Sequence, residues 1–175
     1  MQRPMQRPMQ RRTQRKPARG FTLVEIAVVM TIMVTLATLA LPYYGDYVAR
    51  QRLKAAAEHL AADLAEARFE SARRGTPIHV NFSAGADWCY AVTTAPGCAC
   101  RAVAACRLKS VDSTGSGGIS MPAGKEVLFS ASGSSTPSAV QFQTLKGQAL
   151  VVQTSALGRA RICSPQGEMP GYARC

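Results

Sequence analysis

The chain has 175 residues, 47% of them hydrophobic, and a formal net charge of +11. That length accommodates one small domain plus an anchor and excludes a second sizeable core. Seven of the 21 basic residues fall within the first twenty positions, where there is no acid, and the remainder carries fourteen bases against ten acids. Overall charge therefore does not establish a polyanion-binding protein, and only local clusters count toward that function.

The opening "MQRPMQRPMQRR" is a low-complexity repeat with Met1, Met5 and Met9 as possible starts. From Phe21 to Leu41 the only charge is Glu25. Twenty-one helical residues at about 1.5 Å each cover a hydrocarbon core of roughly 30 Å, so one membrane span is expected over 21–41. The apolar run exceeds the 7 to 15 residues usual for a secretory signal, and "LATLALPYY" is a poor small-x-small cleavage site. The basic block of Arg3, Arg7, Arg11, Arg12, Arg15, Lys16 and Arg19 should stay cytoplasmic and direct the rest of the chain outward. A carboxylate in a span costs free energy, so Glu25 needs a partner.

Pro42 should bend or loosen the helix at the end of the span. From Asp46 the pattern becomes amphipathic. Leu53, Ala57, Leu60, Leu64, Ala67 and Ser71 recur at three- and four-residue spacing, which predicts a helix over 46–74 with one face on a sheet. Glu70 and Arg74 form an i,i+4 pair, and "GTP" at Gly75–Pro77 ends the helix. Strand-like runs follow at 78–82, 88–93, 126–131, 139–143, 149–154 and 159–163, suggesting an antiparallel sheet. Thirteen of the 27 residues from Asp112 to Ser138 are Gly or Ser, which reads as surface loop with "EVLFSA" as its ordered piece. The expected organisation is a leader at 1–20, an N-terminal helix at 21–75 and a β-rich domain at 76–175.

Cys89, Cys98, Cys100, Cys106, Cys163 and Cys175 all follow the span, in a compartment that favours disulfides. Six cysteines allow fifteen full pairings. Cys163 with Cys175 is the first expected, with the other four stapling one loop region. Zinc on the first four is disfavoured because their spacing lacks C-x2-C pairs, so no metal is expected. "TGSGG" lacks the Lys and Ser/Thr of a phosphate loop. His59 and His79 have no nucleophile motif around them, so neither an enzyme, a cofactor nor a small-molecule substrate is expected. Trp88, in an alternating strand, is expected to bury its ring.

The informative polar site is "LGRARIC". Alternation in a strand puts Arg159 and Arg161 on one face, about 6.6 Å apart, so that each guanidinium reaches a different phosphate of one nucleic-acid strand. Gly158 lets the backbone turn into the pair, and Arg174 and Lys146 would enlarge the patch if the fold brings them near. The competing reading is that two exposed arginines are simply solvated.

Two segments carry a resemblance. Arg19, Gly20, Phe21, Thr22, Leu23, Val24 and Glu25 resemble the processing site of type IV prepilins and type II secretion pseudopilins. The resemblance implies that a prepilin peptidase cuts after Gly20 and methylates Phe21. Glu25 would then pair with its own new amine or a neighbour's, setting the axial stagger of a filament. Pro42, residue 22 of the processed chain, also fits this pattern. The second segment, Val140 to Cys163, resembles the C-terminal half of the GspH/FimT family, whose FimT branch uses a G-R-x-R motif to capture DNA for natural transformation. Gly158, Arg159, Ala160 and Arg161 match that motif.

The resemblance implies an α+β, pilin-like fold with a long N-terminal helix on an antiparallel sheet. It further implies a single-pass inner-membrane protein with a periplasmic domain, later a cell-surface pilus or periplasmic pseudopilus subunit. The implied partners are other pilins or pseudopilins, prepilin peptidase, the inner-membrane assembly platform and DNA. The alternative it implies is a structural secretion pseudopilin or pilus-priming subunit without DNA affinity.

Overall fold

The computed structural model describes residues 20–101 and 106–175. The leader therefore lies outside the described residues except for Gly20. The chain divides into two compact units, Met1–Leu41 and Pro42–Cys175.

Helix α1 (Leu23–Arg74) begins just after Thr22, whose Oγ1 accepts a hydrogen bond from Glu25 N at 3.2 Å. This is an N-cap, and Glu25 places a carboxylate in the first turn, where the helix dipole favours it. In the apolar stretch the Thr31, Thr35 and Thr38 hydroxyls donate to carbonyls of their own helix, at 2.8, 2.5 and 2.8 Å. Their polar groups are satisfied without water, as an apolar surrounding requires. Leu23, Val24, Met30, Met33, Val34 and Leu36 are exposed. Helix α1 includes Pro42. Neither Leu23–Leu39 nor Tyr43–Arg74 alone is long and apolar enough to cross a membrane; the two together meet that criterion by length and composition only.

In the second unit, α1 turns its small and apolar stripe toward two antiparallel four-stranded sheets. One has the order β3 (Arg107–Asp112), β2 (Cys89–Thr93), β1 (Ile78–Ser83), β5 (Val127–Phe129). The other has the order β4 (Ile119–Ala123), β6 (Ser138–Thr144), β7 (Ala149–Thr154), β8 (Ala160–Cys163). Leu53, Ala57, Leu60, Leu64, Ala67 and Ser71 are all buried, and the first five join Ile78, Val80, Phe129, Phe142, Leu150 and Val152 in one core. The sheets are joined where Gly85 and Met121 exchange backbone hydrogen bonds of 2.8 and 3.0 Å. Trp88 adds a second tie, because its Nε1–H donates to the Ile119 carbonyl at 3.1 Å and its ring meets Phe142 edge-on at 5.1 Å.

Two sequence expectations are corrected. The Gly/Ser-rich stretch contains a second ordered piece, β4, in which Ile119 and Met121 are buried while Ser120 and Pro122 are less so. Its short alternation is enough to pair with β6. Strand β3 was also unforeseen. It pairs with β2 at the edge of its sheet and exposes most of its side chains, so its sequence carries no apolar alternation.

One polar cluster fastens α1 to the first sheet. Buried Asp63 accepts from the Tyr90 hydroxyl at 2.8 Å and from Lys109 Nζ at 2.7 Å. Burial, with the Asp63 bond second, pushes the Tyr90 phenol up, and the same carboxylate raises Lys109. A buried carboxylate with two donors is tolerated; stripped of them, it would be strongly destabilising.

The helix ends at Gly75, which adopts φ 64°, a left-handed conformation suited to a C-terminal cap. Glu70 accepts from Arg73 at 2.7 and 2.8 Å and also pairs with Arg74. The Arg73 hydrogen bonds, then those of Arg74, hold its carboxyl down at about 2 instead of 4.5. A depressed folded value means the contribution is full above the ordinary value and is lost as pH falls from 4.5 through about 2. Amide exchange should therefore show the last turn of α1 opening more readily at pH 2 than at pH 5, and Glu70→Gln should abolish that difference.

Candidate functional site

Three regions hold the candidate residues. At the N-terminal end Gly20 and Phe21 are exposed and precede the helix, and a side chain at Gly20 would meet nothing within 4 Å. Backbone outside a helix with open space around it is what a peptidase requires. Glu25 also faces outward.

The basic strand is built by a tight hairpin between β7 and β8. Ser155 N donates to the Arg159 carbonyl at 3.0 Å, Gly158 N donates to the Ser155 carbonyl at 2.9 Å, and the Ser155 hydroxyl accepts from Arg159 N at 3.2 Å. Gly158 has φ 73°, and a Cβ there would stand 2.5 Å from the Gly133 carbonyl oxygen and 2.8 Å from Arg68 Cδ. The Arg68 side chain runs from α1 into this gap and donates to the same Gly133 carbonyl at 3.0 Å. Gly158 is therefore a packing residue as well as a turn residue. Arg68 and Gly133, which hold the turn in place, carried no signal in the sequence.

Arg159 precedes β8 and Arg161 lies within it, opposite Gln153 of β7. Both are exposed, while Ala160 and Ile162 pack on the core from the other face. Past β8 the tail returns beside Ser164. Ser164 N donates to the Ala173 carbonyl at 2.9 Å, Cys175 N donates to the Ser164 carbonyl at 3.2 Å, and Cys163 is disulfide-bonded to Cys175. Met169 is buried, the Tyr172 hydroxyl donates to Glu58 at 2.5 Å, and Lys54 stands 5.6 Å above the Tyr172 ring. The tail is thus fastened to both β8 and α1, and it holds exposed Arg174 next to the end of the strand that carries Arg161.

Lys146 is elsewhere. It lies in the turn between β6 and β7, at the other end of β7 from Gly158, and its Nζ pairs with Asp46 at 2.5 Å. Asp46 and Arg68 are 22 helical residues apart, about 33 Å, so Lys146 does not join the arginines. The remaining cysteines pair as Cys89–Cys100 and Cys98–Cys106, which occupies the sulfurs that a zinc site would need. His79 Nδ1 contacts Glu126 at 2.7 Å, and His59 lines a cleft with Asp63 and Tyr90.

The disposition of the cations is informative. Arg52, Arg68, Arg101 and Arg107 donate to backbone carbonyls. Arg73, Arg74, Lys109 and Lys146 pair with carboxylates. Among the described residues, no acid pairs with Arg159, Arg161 or Arg174.

Known proteins match this architecture at both ends. The prokaryotic N-terminal methylation motif matches residues 15–41, and the family described as type II transport protein GspH matches residues 56–158. The chain belongs to the GspH family. A solved structure, the type IV minor pilin FimU of Pseudomonas aeruginosa, superposes with TM-score 0.53 at 23% identity over 67% of this chain and 95% of that one. That likeness confirms the pilin-like α+β fold. No curated protein sequence matches. Membership in the GspH family makes this a pilin or pseudopilin subunit with a methylation-type N-terminus and a membrane-anchoring apolar helix, assembling with other pilins after prepilin peptidase processing. The family match stops at residue 158, immediately before Arg159.

Proposed function

We propose that this GspH-family chain is a FimT-like minor type IV pilin that binds DNA through Arg159, Arg161 and Arg174. The supporting observation is that these three exposed guanidiniums lie on and beside one strand with no carboxylate partner, whereas Arg73, Arg74, Lys109 and Lys146 each pair with one and Arg52, Arg68, Arg101 and Arg107 donate to backbone carbonyls. Two strand positions of about 3.3 Å separate the first pair, close to the reach needed for successive phosphates. Contacts of this kind position a duplex without reading its bases. Processing after Gly20 would free the Phe21 amine to neutralise Glu25, converting a membrane anchor into a filament subunit with its domain outside the cytoplasm.

Two or three neutralised phosphates give a log–log salt slope of about −2 to −3 and weak binding per subunit. The unit beginning near residue 46 is to be titrated with duplex DNA at several salt concentrations. Changing Arg159 and Arg161 together to glutamine should reduce the slope magnitude by about 2. Unchanged affinity and slope would show that the site assignment is wrong. A purely structural role in a type II secretion pseudopilus is the second reading, supported by the family's description and requiring no DNA affinity.

A further inference from the structure

We propose that the outer face of the second sheet carries a track for a DNA backbone, leading from Arg161 across Gln153 and Ala139 to Lys125, whose ammonium makes a further phosphate contact. Strand register places Arg161 opposite Gln153 of β7, and Gln153 opposite Ala139 of β6. One residue before Ala139, the Ser138 hydroxyl donates to the Lys125 carbonyl at 3.0 Å. Three spacings of about 4.8 Å therefore separate Arg161 from Lys125, about 14 Å in all. Gln153, Ala139, Ser138 and Lys125 border, with Ala123 and Gly124, one groove of about 680 Å³. Lys125 lies where the chain passes from β4 of one sheet to β5 of the other. Gly124 fixes that crossing, because a Cβ there would stand 2.8 Å from Phe82 Cβ and 3.2 Å from Met121 Sδ. Glycine alone lets the backbone lie so close, and Lys125 is presented from packed chain.

The chemistry of the groove selects its occupant. Lys125 is exposed and, among the described residues, no carboxylate pairs with it. No acid among the described residues borders the groove, and neighbouring Glu126 is engaged by His79 Nδ1 at 2.7 Å beside the adjoining cleft. Free cations thus stand at both ends, with no negative charge between them, a field complementary to a polyanion. The small side chains of Ala123 and Ala139 and the bare backbone of Gly124 let a broad ligand approach closely. Exposed Gln153 can donate its amide to a phosphate oxygen midway. No aromatic ring among the described residues borders the groove, so it offers no platform for the unstacked bases of a single strand. The occupant is therefore a duplex, whose backbone covers 14 Å in about four base steps of roughly 3.4 Å. This inference rests on the DNA-binding reading of the arginines and adds to it one cation and a direction, across the strands of the sheet.

The test titrates the full-length chain, in a neutral detergent, with a fluorescein-labelled duplex at several salt concentrations and reads anisotropy. Lys125→Gln, Lys125→Arg and Lys146→Gln are compared with the Arg159/Arg161 double glutamine variant. Lys146→Gln removes the same charge as Lys125→Gln, but at the other end of β7 from the arginines. Lys125→Gln should reduce the magnitude of the log–log salt slope by about 1, Lys125→Arg should restore it, and Lys146→Gln should leave it as in the parent. Equal loss in the two single glutamine variants would mean that only overall charge is felt, which overturns the track. An unchanged slope in Lys125→Gln beside a reduced one in the double variant overturns the track and leaves the arginine site standing. An unchanged slope in the double variant overturns the DNA-binding reading, and the track falls with it. Ala139→Glu, set against Ala139→Gln, probes the floor between the ends, and the carboxylate should raise the Kd at least about threefold over the amide. Equal affinities in that pair would show that the backbone does not cross Ala139 and would overturn the track.

Discussion

Gly158→Ala is expected to destabilise the Pro42–Cys175 unit by about 2–5 kcal/mol and to lower the proposed DNA affinity without removing any charge. The size follows from two costs. An L-residue held at φ 73° loses about 1–2 kcal/mol. The added methyl would also stand 2.5 Å from the Gly133 oxygen and 2.8 Å from Arg68 Cδ, and overpacking typically costs about 1–3 kcal/mol. Arg68 cannot simply swing aside, because its Nε–H is donated to that same carbonyl, and the backbone on the other side is pinned by Ser135 N to the Ala156 carbonyl at 3.0 Å. Relief therefore requires the β7–β8 turn to move away from α1, taking Arg159 with it. Thermal unfolding measured alongside DNA titration separates this glycine from the arginines. The Arg159/Arg161 double glutamine variant should keep its melting temperature and lose affinity, whereas Gly158→Ala should lose both. If Gly158→Ala melts like the parent, the close approach at that turn is wrong.

The same turn shows how much the sequence disclosed. The face shared by Arg159 and Arg161 was legible because strand alternation needs only local spacing. So was the buried stripe of α1, where Leu53, Leu60 and Leu64 recur with the helical period and are all in the core. Arg68 beneath Gly158 was not legible, because a contact between residues so far apart in the chain follows from how the helix crosses the sheet. Lys146 was to enlarge the patch only if the fold brought it near, and one strand between the two turns puts it at the opposite end. Strand β3 was hidden for a different reason. Its backbone is paired with β2 while most of its side chains face solvent, so hydrophobic pattern gave no sign of it. Arg174 gains its position from three kinds of fastening, a disulfide, backbone pairing and the Tyr172–Glu58 hydrogen bond, of which only the cysteines could be seen in advance.

Trp88→Ala is expected to cost about 3–5 kcal/mol, with a fall in melting temperature on the order of 10 °C or more. Trp88 is 2% exposed and fills the space where the sheets meet, stacking parallel to Tyr90 at 6.3 Å and meeting Phe142 edge-on. Alanine would leave a cavity shared by β2, β4 and β6, and partial collapse would draw on the Gly85–Met121 bridge that joins the sheets nearby. Trp88→Phe distinguishes the two parts of the loss. It keeps an aromatic ring in the cavity but removes the Nε1–H bond to the Ile119 carbonyl, leaving a buried acceptor at a cost of about 1–3 kcal/mol. Circular dichroism melts should rank parent above phenylalanine above alanine. A phenylalanine variant as unstable as alanine would assign the loss to that hydrogen bond, and then to the hold of β4 on the core. Because β4 also pairs with β6, whose other neighbour β7 carries the turn leading to Arg159, loosening it should weaken DNA binding only where the melt has begun. Affinity lost well below that temperature would mean instead that Trp88 reaches the arginines through the packing of the second sheet.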